Sequence, residues 1–92
     1  MDEVEVKAMV LEILTQVAPN IDTAALDPAV AFRDQVEFDS LDFLNFVIAL
    51  GERSGIQISE TDYPKLASLR GCIGYFTAQA HTKEQSNKAK KP

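Results

Sequence analysis

The segment from Ser40 to Arg53, SLDFLNFVIALGER, restricts the possible folds more than any other stretch of the chain. On a helix advancing about 100° per residue from Leu41, Phe43, Phe46, Val47 and Leu50 fall between about 140° and 240°, and Leu41, Leu44 and Ile48 between about 300° and 360°. Asp42, Asn45, Ala49, Glu52 and Arg53 form the polar sector between them. A surface helix needs one apolar stripe for its core, so the second stripe is either covered by another helix or left out for a partner. Asp39 is suited to cap the helix, with Asp42 reaching back three residues later, and Gly55 supplies the stop.

Ser40 then falls on the first turn, near solvent. Free backbone N–H groups and the positive end of the helix dipole favour a negative group there, such as a phosphodiester, against repulsion from Asp39 and Asp42. Asp-Ser before an apolar run is also an ordinary helix cap, so the tripeptide Asp39-Ser40-Leu41 acquires meaning only from its context.

The flanking segments read as helices too. Asp2-Glu3-Val4-Glu5 has capping-box spacing, and Val6, Met9, Val10, Ile13, Leu14 and Val17 follow at helical intervals, predicting a first helix that stops near Ala18. No period persists from Pro19 to Phe38. A loop of about twenty residues is unusual in a small domain, and its scattered apolar residues suggest one pinned to the core, with a turn at Leu26-Asp27-Pro28. Ile56 and Ile58 read as an inward-facing connector. Ser59 and Asp62 repeat the capping-box spacing ahead of a short or distorted third helix, about 60–66, which Pro64 disturbs. Ser68 caps a fourth, on which Leu69, Cys72, Ile73, Phe76 and Ala80 share a face, and Gly71 and Gly74 weaken that helix while permitting close packing. The expected architecture is all-α, a four-helix bundle with a long loop between the first two helices and a short third helix, occupying residues 1–80. Residues 81–92, polar and lysine-rich, read as a disordered tail.

Charge and chemistry narrow the function. The net charge of −5 is uneven: residues 1–80 hold thirteen acidic and five basic groups, residues 81–92 one acidic and four basic. An acidic body disfavours nucleic acid and suits enzymes with basic docking patches, or simply keeps the chain soluble. The lone Cys72 excludes an internal disulfide and fits a reducing, cytoplasmic setting, and no stretch has the length of a membrane span. The single histidine, His81, lies in the tail, so a Ser-His-Asp arrangement is not expected, and capping accounts for Asp39 and Asp42 without a metal. Ser40 therefore has no activation of its own. Any reaction on it needs a base and an electrophile from another enzyme.

On these features, residues 3–80 resemble an acyl carrier protein: Asp39-Ser40-Leu41 opening an apolar helix, the Gly55-Ile56-Gln57-Ile58 connector, a short third helix and an amphipathic fourth. The resemblance implies a monomeric, non-enzymatic carrier with 4′-phosphopantetheine joined to Ser40 and Asp39 as part of the transferase recognition motif. It implies a partner face of Leu41, Asp42, Leu44, Asn45, Ile48 and Glu52. An acyl pocket is implied at Phe46, Leu50, Ile58, Tyr63 and Leu66, with Tyr63 bulkier than the small residue usual there. The implied partners are a phosphopantetheinyl transferase, acyl/AMP ligases, and acyltransferase or synthase enzymes of fatty-acid or specialised lipid and secondary-metabolite synthesis. Asn45 and Gly51 stand where carriers of fatty-acid synthesis usually have glutamates, which leans towards a specialised carrier. The competing reading is an unmodified helical interaction module that uses the Leu41/Leu44/Ile48 face; a small metal-dependent hydrolase has little support.

Overall fold

The computed structural model describes residues 2–78. Helix α1 (Glu3–Val17) starts where the spacing predicts: the Asp2 carboxylate accepts the Glu5 N–H at 2.9 Å, and the Glu5 carboxylate accepts the Asp2 N–H at 3.1 Å. Val6, Met9, Val10, Ile13 and Leu14 are buried along one face, the interval of a helix packed on one side.

The segment after α1 is not structureless. A 3-10 turn, Thr23–Ala25, is capped by Asp22, and a four-residue helix, α2 (Phe32–Gln35), follows it. The expected turn lies one residue later than Leu26-Asp27-Pro28 suggests, closed by Val30 N–H donating to the Asp27 carbonyl. Gln35 staples the loop: its amide oxygen accepts the Asp27 N–H at 2.8 Å, and its nitrogen donates to the Asp27 and Val30 carbonyls, both at 2.9 Å. Phe32 is buried, and its N–H donates to the Ala67 carbonyl at 2.8 Å, while Arg70 N–H donates to the Pro28 carbonyl at 2.9 Å. These bonds satisfy backbone groups that a long loop would otherwise leave without partners, and they attach it to the core. Four residues are too few to show a helical period, which is why α2 is invisible in the sequence pattern.

Helix α3 (Ser40–Ser54) ends at Gly55, whose left-handed backbone (φ 73°) forms the C-cap and lets its N–H reach the Gly51 carbonyl. Phe46, Val47 and Leu50 are buried, and Ile56 and Ile58 pack against the core from the connector. The helix expected as the third is 3-10, Glu60–Leu66, with Pro64 inside it. The capping box expected from Ser59 and Asp62 does not form. Ser59 Oγ accepts from Thr61 N–H, while the Asp62 carboxylate takes the Tyr75 hydroxyl at 3.0 Å and the Lys65 ammonium at 3.3 Å. A buried tyrosine needs a partner for its hydroxyl, and the carboxylate supplies it across the two helices.

Helix α4 (69–78) is capped by Ser68, whose Oγ accepts the Gly71 N–H at 3.0 Å. Leu69, Cys72, Tyr75 and Phe76 are buried and Ile73 is partly so. Ala80 and the expected tail lie outside the described residues, as does the boundary expected near residue 80. The described residues thus hold four helices of seven residues or more around one apolar cluster, with no strand, in agreement with the expected all-α bundle. Among them no helix is long and apolar enough to cross a membrane.

The two glycines of α4 are not equivalent. A Cβ at Gly71 would overlap the Lys65 carbonyl, whereas nothing lies within 4 Å of one at Gly74. Gly71→Ala is therefore expected to destabilise by about 1–3 kcal/mol through forced separation of backbone. Gly74→Ala is expected to stabilise by about 0.5–1 kcal/mol through helix propensity. Thermal melts should rank Gly74→Ala above wild type and Gly71→Ala below it; the reverse order would contradict the packing described here.

Candidate functional site

The start of α3 is held by its neighbours and not by Ser40. Asp42 N–H donates to the Asp39 carboxylate at 2.8 Å, and Asp39 N–H donates back to the Asp42 carboxylate at 3.3 Å. Phe43 N–H takes the Asp39 carbonyl. With capping assigned to the two aspartates, the Ser40 side chain is left exposed on the first turn, at the positive end of a helix of 15 residues.

A cleft of about 590 Å³ opens beside it. Asp39, Ser40 and Arg33 are its polar lining, and Phe32, Phe38, Phe43, Tyr63, Pro64 and Ala67 give its largely apolar wall. The aromatic wall is organised by edge-to-face contacts. Phe38 meets Phe32, Phe46 and Phe43 at centroid distances of 5.7, 5.8 and 6.3 Å, and Phe43 meets Tyr63 at 6.2 Å. Such pairs fix ring orientation as well as burying area. Phe38 and Phe43 thus pack against the core and line the cleft at once.

Among the described residues no other helix covers the second stripe of α3. Leu41 is 64% exposed, Leu44 42% and Ile48 50%. Asn45 and Glu52 are exposed alongside, and Asp42 is half-buried by its capping role. Arg53 is turned away from this face: its guanidinium donates to both oxygens of Glu12 on α1, at 3.1 and 3.2 Å. These hydrogen bonds, and the charge behind them, hold the Glu12 carboxyl below the usual carboxylate range and raise Arg53. Helix α3 therefore does not present Arg53 as a free cation beside Glu52.

The five residues of the expected acyl pocket belong to one apolar cluster but differ in exposure. Phe46, Leu50 and Leu66 are fully buried, while Ile58 and Tyr63 are half-buried. Tyr63 lines the cleft beside Ser40 and, with Ile58, a second groove of about 500 Å³ along the connector. Phe46, Leu50 and Leu66 line neither. Cys72 is equally enclosed. Burial pushes its thiol up to about 12, and the Sγ–H donates to the Leu66 carbonyl at 3.4 Å, so it is a core group and not a nucleophile.

Arg33, Phe32, Pro64 and Ala67 were not among the residues expected at the site. Arg33 had one signal available: it is the only basic residue between Lys7 and Arg53. Its place on the cleft that Ser40 also lines depends on how the loop folds back.

The geometry suits a tether that ends in an anion. Ser40 is exposed, the helix end favours negative charge, and open space adjoins it. The comparisons agree. The family model described as a phosphopantetheine attachment site matches residues 5–76. An acyl carrier protein of Rubrobacter xylanophilus is 28% identical over 75 residues, which are 82% of this chain and 91% of the relative. An acyl carrier protein of Helicobacter hepaticus is 32% identical over 73 residues, 79% of this chain and 90% of the relative. A third, from Acidothermus cellulolyticus, is 28% identical over 72 residues, 78% and 84% respectively. From its helical fold, its exposed helix start and these matches, the chain belongs to the acyl carrier protein family, whose prosthetic group is 4′-phosphopantetheine.

Proposed function

We propose that Ser40 is the attachment residue and that the chain is a substrate of its partner enzymes and not itself an enzyme. The observation that carries this reading is the exposed Ser40, free of capping duty, among the residues that line the cleft. No base among the described residues hydrogen-bonds it, so the transferase must supply the activation. Once attached, the arm offers a thiol on which an acyl group rides as a thioester. The chain's own part is to fix the attachment oxygen on a rigid helix end and to keep Asp39 as the cap and recognition residue. Tyr63 and Ile58 offer apolar surface to cargo, while Phe46, Leu50 and Leu66, the other residues of the expected acyl pocket, are enclosed in the core. Partner enzymes, whether acyl/AMP ligase, acyltransferase or synthase, dock on Leu41, Leu44 and Ile48, with Asp42, Asn45 and Glu52 around them. The sparse acid on this helix favours apolar docking and a specialised pathway.

Coexpression with a phosphopantetheinyl transferase tests the reading. The expected result is one prosthetic group per chain, mapped by peptide fragmentation to Ser40. Failure of several broad-specificity transferases, or mapping to another residue, would overturn it.

The docking face has its own test. Leu44→Glu puts a charge into an apolar contact, and loss of one central contact costs about 2 kcal/mol or more. Transferase kcat/KM is expected to fall at least roughly tenfold, with the thermal midpoint nearly unchanged because the residue is already exposed. Unchanged kinetics would move the docking surface elsewhere.

A further inference from the structure

The sequence poses an electrostatic difficulty at Ser40. Its phosphodiester would sit between Asp39 and Asp42, on a body with thirteen acidic and five basic groups in residues 1–80. A helix end favours an anion only weakly at an exposed site, and two nearby carboxylates act against it. The folded chain brings one cation to the same place. Arg33 lines the cleft together with Asp39 and Ser40.

We propose that Arg33 is the counter-ion of the phosphodiester on Ser40, a positioning residue for the base of the arm. The inference rests on Ser40 being the attachment residue. Three observations support it. Arg33 is the only basic residue in the span from 8 to 52. Its backbone is fixed: Phe32 before it is buried and bonded to the Ala67 carbonyl, and Gln35 after it is hooked to Asp27 and Val30. Its side chain is exposed and makes no ion pair among the described residues, while Arg53 and Lys65 are already paired with Glu12 and Asp62. An uncommitted guanidinium on an anchored backbone suits a phosphate, because its planar fork offers two parallel N–H donors to two oxygens. Holding the first link of the arm beside the aromatic wall would give the remainder a fixed pivot.

The test is phosphorus NMR on the arm-bearing protein alone, comparing wild type, Arg33→Gln and Arg33→Lys at low salt and at about 1 M salt, where screening acts within about 3 Å. The expected wild-type resonance at low salt differs from that of Arg33→Gln and moves towards it as salt rises. Arg33→Gln is expected to respond little to salt, and Arg33→Lys to lie between the two, since an ammonium supplies charge without the fork. As a second readout, attachment of the arm should lower the thermal midpoint more in Arg33→Gln than in wild type. Superimposable resonances with the same salt response in wild type and Arg33→Gln would overturn the proposal. So would a change in transferase kinetics with no change in the resonance, which would make Arg33 a contact for the partner enzyme. Absence of any arm on Ser40 in wild type would instead remove the attachment reading beneath it. An arm on Ser40 that is indifferent to Arg33 would remove this inference alone.

Discussion

Ser40→Ala is expected to abolish prosthetic-group attachment completely while leaving the fold intact. On the proposed attachment the loss is all-or-none, because the serine oxygen forms the bond and no neighbouring side chain can replace it: Asp39 and Asp42 offer carboxylates committed to capping, and Leu41 and Phe43 offer only hydrocarbon. The fold should survive because Ser40 is exposed and caps nothing. Its replacement at an open surface position belongs with changes of about 0.5 kcal/mol or less, a shift of a few degrees at most in a domain of this size. Asp39→Ala is the informative contrast, since it removes the cap and should cost about 1 kcal/mol. Intact-mass spectra after coexpression, with melting curves of the unmodified proteins, separate the two effects. Full modification of Ser40→Ala would sink the assignment. The rival reading, an unmodified interaction module, predicts instead that Ser40→Ala retains every function while Leu44→Glu loses partner binding.

Phe46→Ala should have the largest effect on stability. The ring is fully buried and meets Phe32 edge-on at 5.3 Å and Phe38 at 5.8 Å, so it joins the loop to α3. Truncating a buried phenylalanine costs about 3–5 kcal/mol from lost transfer and the cavity left behind. Against a total of about 5–15 kcal/mol for a native domain, that is a large share of what holds the chain folded. Urea titration followed by helical circular dichroism is the measurement, and a midpoint close to wild type would mean that the aromatic cluster contributes little. The effect should reach the site as well. Phe38, which loses a neighbour, lines the cleft beside Ser40, so the wall would loosen before the helix itself melts.

How much of this could be read beforehand follows from the range of the interactions concerned. The starts of α1 and α3 were legible to the residue, because a capping box is a contract between a side chain and a backbone N–H three positions away. Gly55 was legible for a similar reason, as a left-handed backbone at a helix end favours a residue without a Cβ. The same spacing misled at Ser59 and Asp62. There a partner thirteen residues away, the Tyr75 hydroxyl, claimed the carboxylate that local geometry assigned to a cap. Helical periodicity likewise identified the two faces of α3 but left open whether the Leu41/Leu44/Ile48 stripe was covered, since covering depends on where the other helices go.

The sequence alone therefore settled what is local: which segments are helical, where they begin, which faces are apolar, and that Ser40 opens the second long helix. Only the tertiary structure decided what depends on the chain returning to itself. It hooked the loop through Gln35, formed α2 around buried Phe32, enclosed Phe46, Leu50 and Leu66, and brought Arg33 to the cleft at Ser40. The reason is one of distance along the chain. Contacts at three or four residues recur with the helix and leave a period to read, whereas contacts between Phe32 and Ala67, or Arg53 and Glu12, leave no mark in the pattern of either segment by itself.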